Sequence, residues 1–382
     1  MVAQGVSIYL QLDNQTPLQE LFMFQNQPIT LIGSPPSPYT RKMTALLRYR
    51  RIAHSTIWGD PSAVLTEMGI AKPKVALLPT FILPNEVGEM QAICDSTPII
   101  RRLEAEHKGR SVLPDDPAMA FIDYLLEDFA DEWCTKYMFH YRWHKEVDAD
   151  NAGTLLPLFQ KVNLTEEALA KFKPYITDRQ VGRLHVVGSN EVTAPLIDAS
   201  YERLLMALES HLTDQPYLMG GRPGASDFAL YGQLTQLVGF DPTSRAITHK
   251  LSPRTVAYTG LMEDQTGLEP STDDWNTAEI LPDTLKGILK EVGHVYAPAL
   301  LANARAMEAG DKTWEMEIDG SVWAQQTFNY QGKCLQWINA EYQALTEADR
   351  ARVDPMLEGT GCEHIIIRSL FRSFEFLGIA PA

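Results

Sequence analysis

The chain has 382 residues, 45% of them apolar and 21% charged, with a formal net charge of −16. That length exceeds one ordinary core and points to two domains or to one with large extensions. The negative charge argues against a phosphate-backbone partner, and no apolar run is long enough to span a bilayer. The four cysteines, Cys94, Cys134, Cys334 and Cys362, are widely spaced with no CxxC pair. They read as reduced thiols in a cytosolic protein rather than a disulfide framework or zinc site.

Residues 1–28 have neither a basic leader nor a long apolar stretch, so they read as an N-terminal extension rather than a signal peptide. Ile29–Ile32 is a short apolar strand, broken by Gly33 and the prolines of "SPPSPYTRKM". From there Met43, Leu46 and Leu47 fall at helical spacing, with most of the basic residues on other faces. Ser37 directly precedes Pro38, which suits the first helical position, so Ser37 is the expected N-cap. "HSTIWGD" suits a second short strand.

Pro79 stands at the entrance to the apolar run Phe81–Leu83, as the first residue of a strand or at a cis bend. "NEVGE" is a hairpin turn, "MQAIC" the returning strand, and "DSTPIIRRLEAE" a helix capped by Ser96 or Thr97. The order β-α-β, hairpin, α makes a small α/β sandwich at 29–108. A Gly-, Pro- and Asp-rich linker follows at 109–117, and the rest reads as mostly helical. "AMAFIDYLLEDFADEWCTKYMFHYRW" reads as one long helix, and "LIDASYERLLMALESHL" and "GASDFALYGQLTQLV" as two more.

The serine of "SPYTRKM", the Leu-Pro of "LLPTF" and the acidic-Ser pair of "DSTPII" resemble, in order and spacing, the thioredoxin-like half of a cytosolic glutathione transferase. "GGRPGASDFALYGQL", with Gly224 as cap and Asp227 three residues on, resembles the start of a core helix of that family's helical half. The resemblance implies an α/β thioredoxin-like domain followed by an all-α domain at 118–263, with an insertion near 145–197 and a long helical extension at 264–382. It also implies a homodimer, glutathione as co-substrate, no metal, and attack of the glutathione thiolate on a small, mostly apolar electrophile. By the same resemblance the peptide before Pro79 is cis. The backbone of Leu78 would then pair with the cysteinyl unit, Ser96 would hold the γ-glutamyl carboxylate, and Asp95 would face the ammonium.

Ser37 would stabilise the thiolate. A free thiol titrates well above neutrality, and a hydroxyl at the positive end of a helix favours its anion. Ser37 can equally be a cap and nothing more. Two further functions stay open: a non-catalytic binding protein on the same fold, and a glutathione-dependent peroxidase or isomerase. His140 and His144, at i and i+4 beside several acids, read as a satisfied helix face rather than a metal site. Tyr137, Tyr141 and Trp143 read as pocket wall or core. The long extension must cover apolar surface, by capping the pocket, rebuilding a dimer face or enlarging the core.

Overall fold

The computed structural model describes residues 28–366; the N-terminal extension expected at 1–28 lies almost wholly outside them. Strand β1 (Ile29–Gly33) leads into helix α1 (Pro38–Tyr49), strand β2 (His54–Trp58) and helix α2 (Pro61–Met68). Strands β3 (Thr80–Pro84) and β4 (Met90–Ile93) and helix α3 (Ser96–Glu106) complete the N-terminal layer. The sheet runs in the order β2-β1-β3-β4. β1 is parallel to β2, and β3 is antiparallel to both β1 and β4.

Side-chain alternation sorts the two faces. Leu31 and Phe81 enter the main core with Met43, Leu46, Ile99 and Leu103. Ile32 and Ile82 point the other way and pack with Leu65 of α2. Helix α2 was not anticipated from sequence. It is short and buries only Pro61 and Leu65, but its end signals were present. The Asp60 carboxylate accepts from the Ala63 N–H at 2.9 Å, and Gly69 closes the helix at φ +69°.

The helical part begins with α4 (Pro117–Glu132) and α5 (Cys134–Trp143), separated by Trp133 where one long helix was expected. The insertion is a helical pair, α6 (Glu146–Gln160) and α7 (Glu166–Val181). Helices α8 (Ala194–Asp214), α9 (Ala225–Gly239), α10 (Pro242–Leu251) and α11 (Pro253–Met262) follow. Helix α9 packs directly on α1. A Cβ at Gly232 would lie 2.5 Å from the Pro38 carbonyl oxygen, so only glycine lets the two helices approach this closely.

The extension continues the same core rather than forming a separate one. Helix α12 (Asp283–Glu291) passes through a π-helical turn at Val292–Tyr296 into α13 (Ala297–Ala309). Helices α14 (Asn329–Ala344) and α15 (Glu347–Leu357) close the described chain. Between α13 and α14 lies a feature that the mostly helical expectation did not include, an antiparallel hairpin of β5 (Thr313–Ile318) and β6 (Ser321–Gln326). Its turn, Asp319-Gly320, has φ of +53° and +74°, the geometry that Asp-Gly pairs favour in two-residue hairpins. Trp314, Ile318, Trp323 and Gln325 alternate inward. The Trp323 ring sits 5.2 Å from that of Trp133.

Candidate functional site

The turn that presents Ser37 is held from the helical domain. The Ser37 N–H donates to the Ser34 carbonyl at 3.0 Å. Arg142 of α5 donates to the Pro36 carbonyl at 3.2 Å. Its guanidinium is fixed by the Asp241 carboxylate at 3.0 and 3.1 Å and by Gln236 at 2.8 Å. Ser37 is the N-cap, with its oxygen accepting from the Thr40 N–H at 3.2 Å. A hydroxyl that accepts through a lone pair keeps its proton free to donate. The first turn of α1 carries no acidic residue.

Ser37 opens onto a cavity of about 710 Å³, within the range of small-molecule sites. Leu78, Pro79, Asp95 and Ser96 line the same cavity, so all five residues singled out in the sequence meet there. The Leu78–Pro79 peptide is cis, as the resemblance implied.

Two details differ from expectation. Helix α3 starts at Ser96, which is therefore its first residue and not its cap. Asp95 holds the cap position at φ +87° without a side-chain cap bond. A non-glycine residue there costs about 1 kcal/mol or more, to be offset by its surroundings. One offsetting contact comes from the extension: the Tyr330 hydroxyl of α14 donates to Asp95 Oδ2 at 2.9 Å. Burial raises the Asp95 carboxyl, and the Tyr330 bond works against that rise.

Beneath Ser96 lies a polar network joining the two domains. The ammonium of Lys42 (α1) is fully buried. It donates to Ser96 Oγ at 2.9 Å, Glu127 at 2.8 Å and Asp131 at 2.6 Å. Arg101 of α3 reaches the other Glu127 oxygen at 2.5 Å. Burial opposes the charge on Glu127, but Arg101 and Lys42 outweigh it and hold the carboxylate below its usual range. For Lys42 the two acids likewise outweigh burial and keep it charged.

The far wall is acidic. Asp128, Asp131 and Glu132, at i, i+3 and i+4 on α4, all line the cavity. Burial, with the neighbouring carboxylates, pushes Asp128 up to about 7 and Glu132 up to about 8. Tyr296 donates to Asp128 at 2.7 Å. Met138 and Phe139 of α5 supply apolar wall, and Arg179 and Arg183 of the insertion stand at the rim.

The sequence did not single out Lys42, Tyr330 or these arginines as site residues. The i, i+3, i+4 spacing of Asp128, Asp131 and Glu132 is the signal that the sequence carries for this wall. His140 and His144 stack at 4.5 Å, and among the described residues no group of three or more His, Cys, Asp or Glu is placed to hold a metal ion. Tyr137, Tyr141 and Trp143 are core. Asp227 accepts from the Gly224 N–H at 2.9 Å, as its helix-start position implied. No helix of the described residues is long and apolar enough to cross a membrane.

Residues 31–111 match the family model of the glutathione S-transferase N-terminal domain, and residues 190–263 match that of the C-terminal domain. No curated protein matches the chain. Among solved structures, a tau-class glutathione S-transferase from mango, Mangifera indica, is 16% identical at a TM-score of 0.34; the match covers 68% of this chain and 98% of that one. A glutathione S-transferase from Rhodospirillum rubrum is 15% identical at 0.38, covering 65% and 96%. A glutathione transferase from Pseudomonas putida, with glutathione disulfide bound, is 16% identical at 0.37, covering 63% and 92%. With a thioredoxin-like α/β domain, a helical domain behind it and the two domain models matched in that order, residues 31–111 and 190–263 are similar to the two domains of glutathione S-transferases, and the chain has that fold with an inserted helical pair and a C-terminal extension.

Proposed function

We propose that the cavity binds glutathione as its thiolate and transfers it to a small electrophile. The observation that carries this is the convergence of Ser37, Leu78, Pro79, Asp95 and Ser96 on one cavity at the N-terminus of α1. The helix end favours an anion there, and the Ser37 hydroxyl has a proton to give to sulfur. Leu78 would pair through its backbone with the cysteinyl unit. Ser96, already receiving from Lys42, would hold the γ-glutamyl carboxylate, and Asp95 its ammonium. Arg179 and Arg183 at the rim suit the glycyl carboxylate. The acidic wall opposes a thiolate less than its three carboxyls suggest, since burial holds Asp128 and Glu132 toward their neutral forms near neutral pH.

The alternative is a non-catalytic protein on the same fold, whose cleft is partly lined by Tyr330 of the extension. Isothermal titration with glutathione, followed by a panel of electrophiles, separates the two. Binding with turnover supports transfer, binding without turnover supports a binding protein, and no binding at millimolar glutathione refutes the transferase. The homodimer belongs to the same proposal; in sedimentation equilibrium the 42.8 kDa chain would then run at twice its mass.

A further inference from the structure

Helix α7, which brings Arg179 to the rim of the cavity, buries none of its own residues. The chain that follows it is held much more firmly, and from the extension. Arg183 opens a 3-10 turn at Leu184–Val187, and its carbonyl accepts from the Val186 N–H at 2.9 Å. The Val186 carbonyl in turn accepts from Gln325 Nε2 of strand β6 at 2.5 Å. Gln325 is buried, and its Oε1 accepts from the Trp323 indole N–H at 3.0 Å and from the Lys136 ammonium at 3.2 Å. Both of those groups are donors only, so they fix which end of the amide is oxygen and aim its N–H at the turn. The Lys136 ammonium lies 5.6 Å from the centres of the Trp133 and Trp323 rings. At Gly188 φ is +76°, and a Cβ would lie 2.4 Å from the Trp323 ring, so glycine lets the turn rest on the hairpin. Ser189 ties the downstream end, its hydroxyl meeting His140 Nδ1 at 2.7 Å.

We propose that Gln325 is a positioning residue of the glutathione site: through Val186 it sets where Arg183 and Arg179 present their guanidinium groups to the glycyl carboxylate. The inference rests on the cavity being the glutathione site and on the rim arginines meeting that carboxylate. Neither arginine has an ion-pair partner among the described residues, so the incoming carboxylate meets guanidinium groups that no other side chain neutralises. A buried amide must find its partners within the protein, and this one finds its acceptor in the turn that Arg183 opens. The hairpin of the extension thereby governs affinity for one end of the tripeptide without touching it.

The test titrates glutathione and its glycyl monoethyl ester, which lacks only the glycyl charge, into the full chain by calorimetry. The wild type is expected to bind glutathione about tenfold tighter than the ester. Gln325→Glu keeps an acceptor for Lys136 and Trp323 but removes the N–H that holds Val186. It is expected to weaken glutathione by about threefold or more while leaving the ester unchanged. Gln325→Met, which removes both ends of the amide, is expected to do the same. The readout is the ratio of the two affinities, which a uniform loss of folded protein does not change. In an Arg179→Ala, Arg183→Ala background, Gln325→Glu is expected to have no further effect, because the groups it positions are gone. An equal loss of glutathione and ester in the Gln325 variants, no loss of either, or a further loss in the arginine background overturns the proposal. A wild type that binds no glutathione refutes the site itself, and one that binds acid and ester equally refutes the glycyl role of the arginines. Each of these also overturns the proposal, at a step that the titrations distinguish.

Discussion

Replacing Lys42 with methionine removes an ammonium that joins α1, α3 and α4. The side chain is fully buried and its three partners lie at 2.6 to 2.9 Å. Breaking a buried pair by deleting one partner costs about 3–5 kcal/mol, because the other charge stays buried and unmatched. The partners do not share that cost equally. Glu127 keeps Arg101 at 2.5 Å, whereas Asp131 loses its only ion-pair partner among the described residues. Most of the penalty should therefore fall on Asp131. Burial already raises this carboxyl, so without Lys42 it would protonate to escape the unpaired charge. Equilibrium urea unfolding, followed by tryptophan fluorescence, should show Lys42→Met destabilised by about 3–5 kcal/mol near pH 8 and by clearly less near pH 5.5. A loss below about 1 kcal/mol at both pH values would mean that the network does not join the domains as its geometry indicates.

Stability itself should fall as pH rises from about 5.5 to 8. Burial raises Asp123 to about 7, Asp128 to about 7, Glu132 to about 8, and both Asp227 and Asp241 to about 6. A carboxyl whose folded value lies above its unfolded value of about 4 contributes stability that is complete below the unfolded value and lost through the folded one. Differential scanning calorimetry across this window should find the lower Tm at the higher pH; a Tm that rises would count against the buried acids. In Tyr330→Phe, Asp95 loses the hydroxyl that helps keep it ionised, so glutathione should bind several-fold more weakly, and more so at lower pH. Unchanged affinity by calorimetry would remove Tyr330 from the site.

Much of the N-terminal domain was legible because its signals are local. Pro38 after Ser37 marks a helix start, and the strand runs are short, apolar and bounded by turns. Helix α2 escaped because eight residues with a single deeply buried leucine give little periodicity, although Asp60, Pro61 and Gly69 bracket it. The β5–β6 hairpin carried its own signal, Asp319-Gly320 between alternating residues, and was masked by the helical pattern on either side. Tyr330 and Lys42 could not be read from the sequence. Tyr330 meets Asp95 across 235 positions, and the partners of Lys42 lie 54 to 89 positions away. Such contacts depend on how α4 and α14 pack, which local spacing does not encode. The extension enlarges the core, one of the three roles open in the sequence, and its Tyr330 reaches the cavity lining.

The central claim is that Ser37, at the end of α1, stabilises a thiolate on bound glutathione. It is tested most directly by the ultraviolet thiolate absorbance of bound glutathione as a function of pH, in the wild type and in Ser37→Ala. The account predicts that the bound thiol of the wild type titrates below the free thiol, that Ser37→Ala moves it back up by about 1 unit or more, and that glutathione affinity is largely kept. Superimposable titrations would leave Ser37 as a helix cap alone, and a bound thiol that titrates like the free one would contradict the thiolate site altogether.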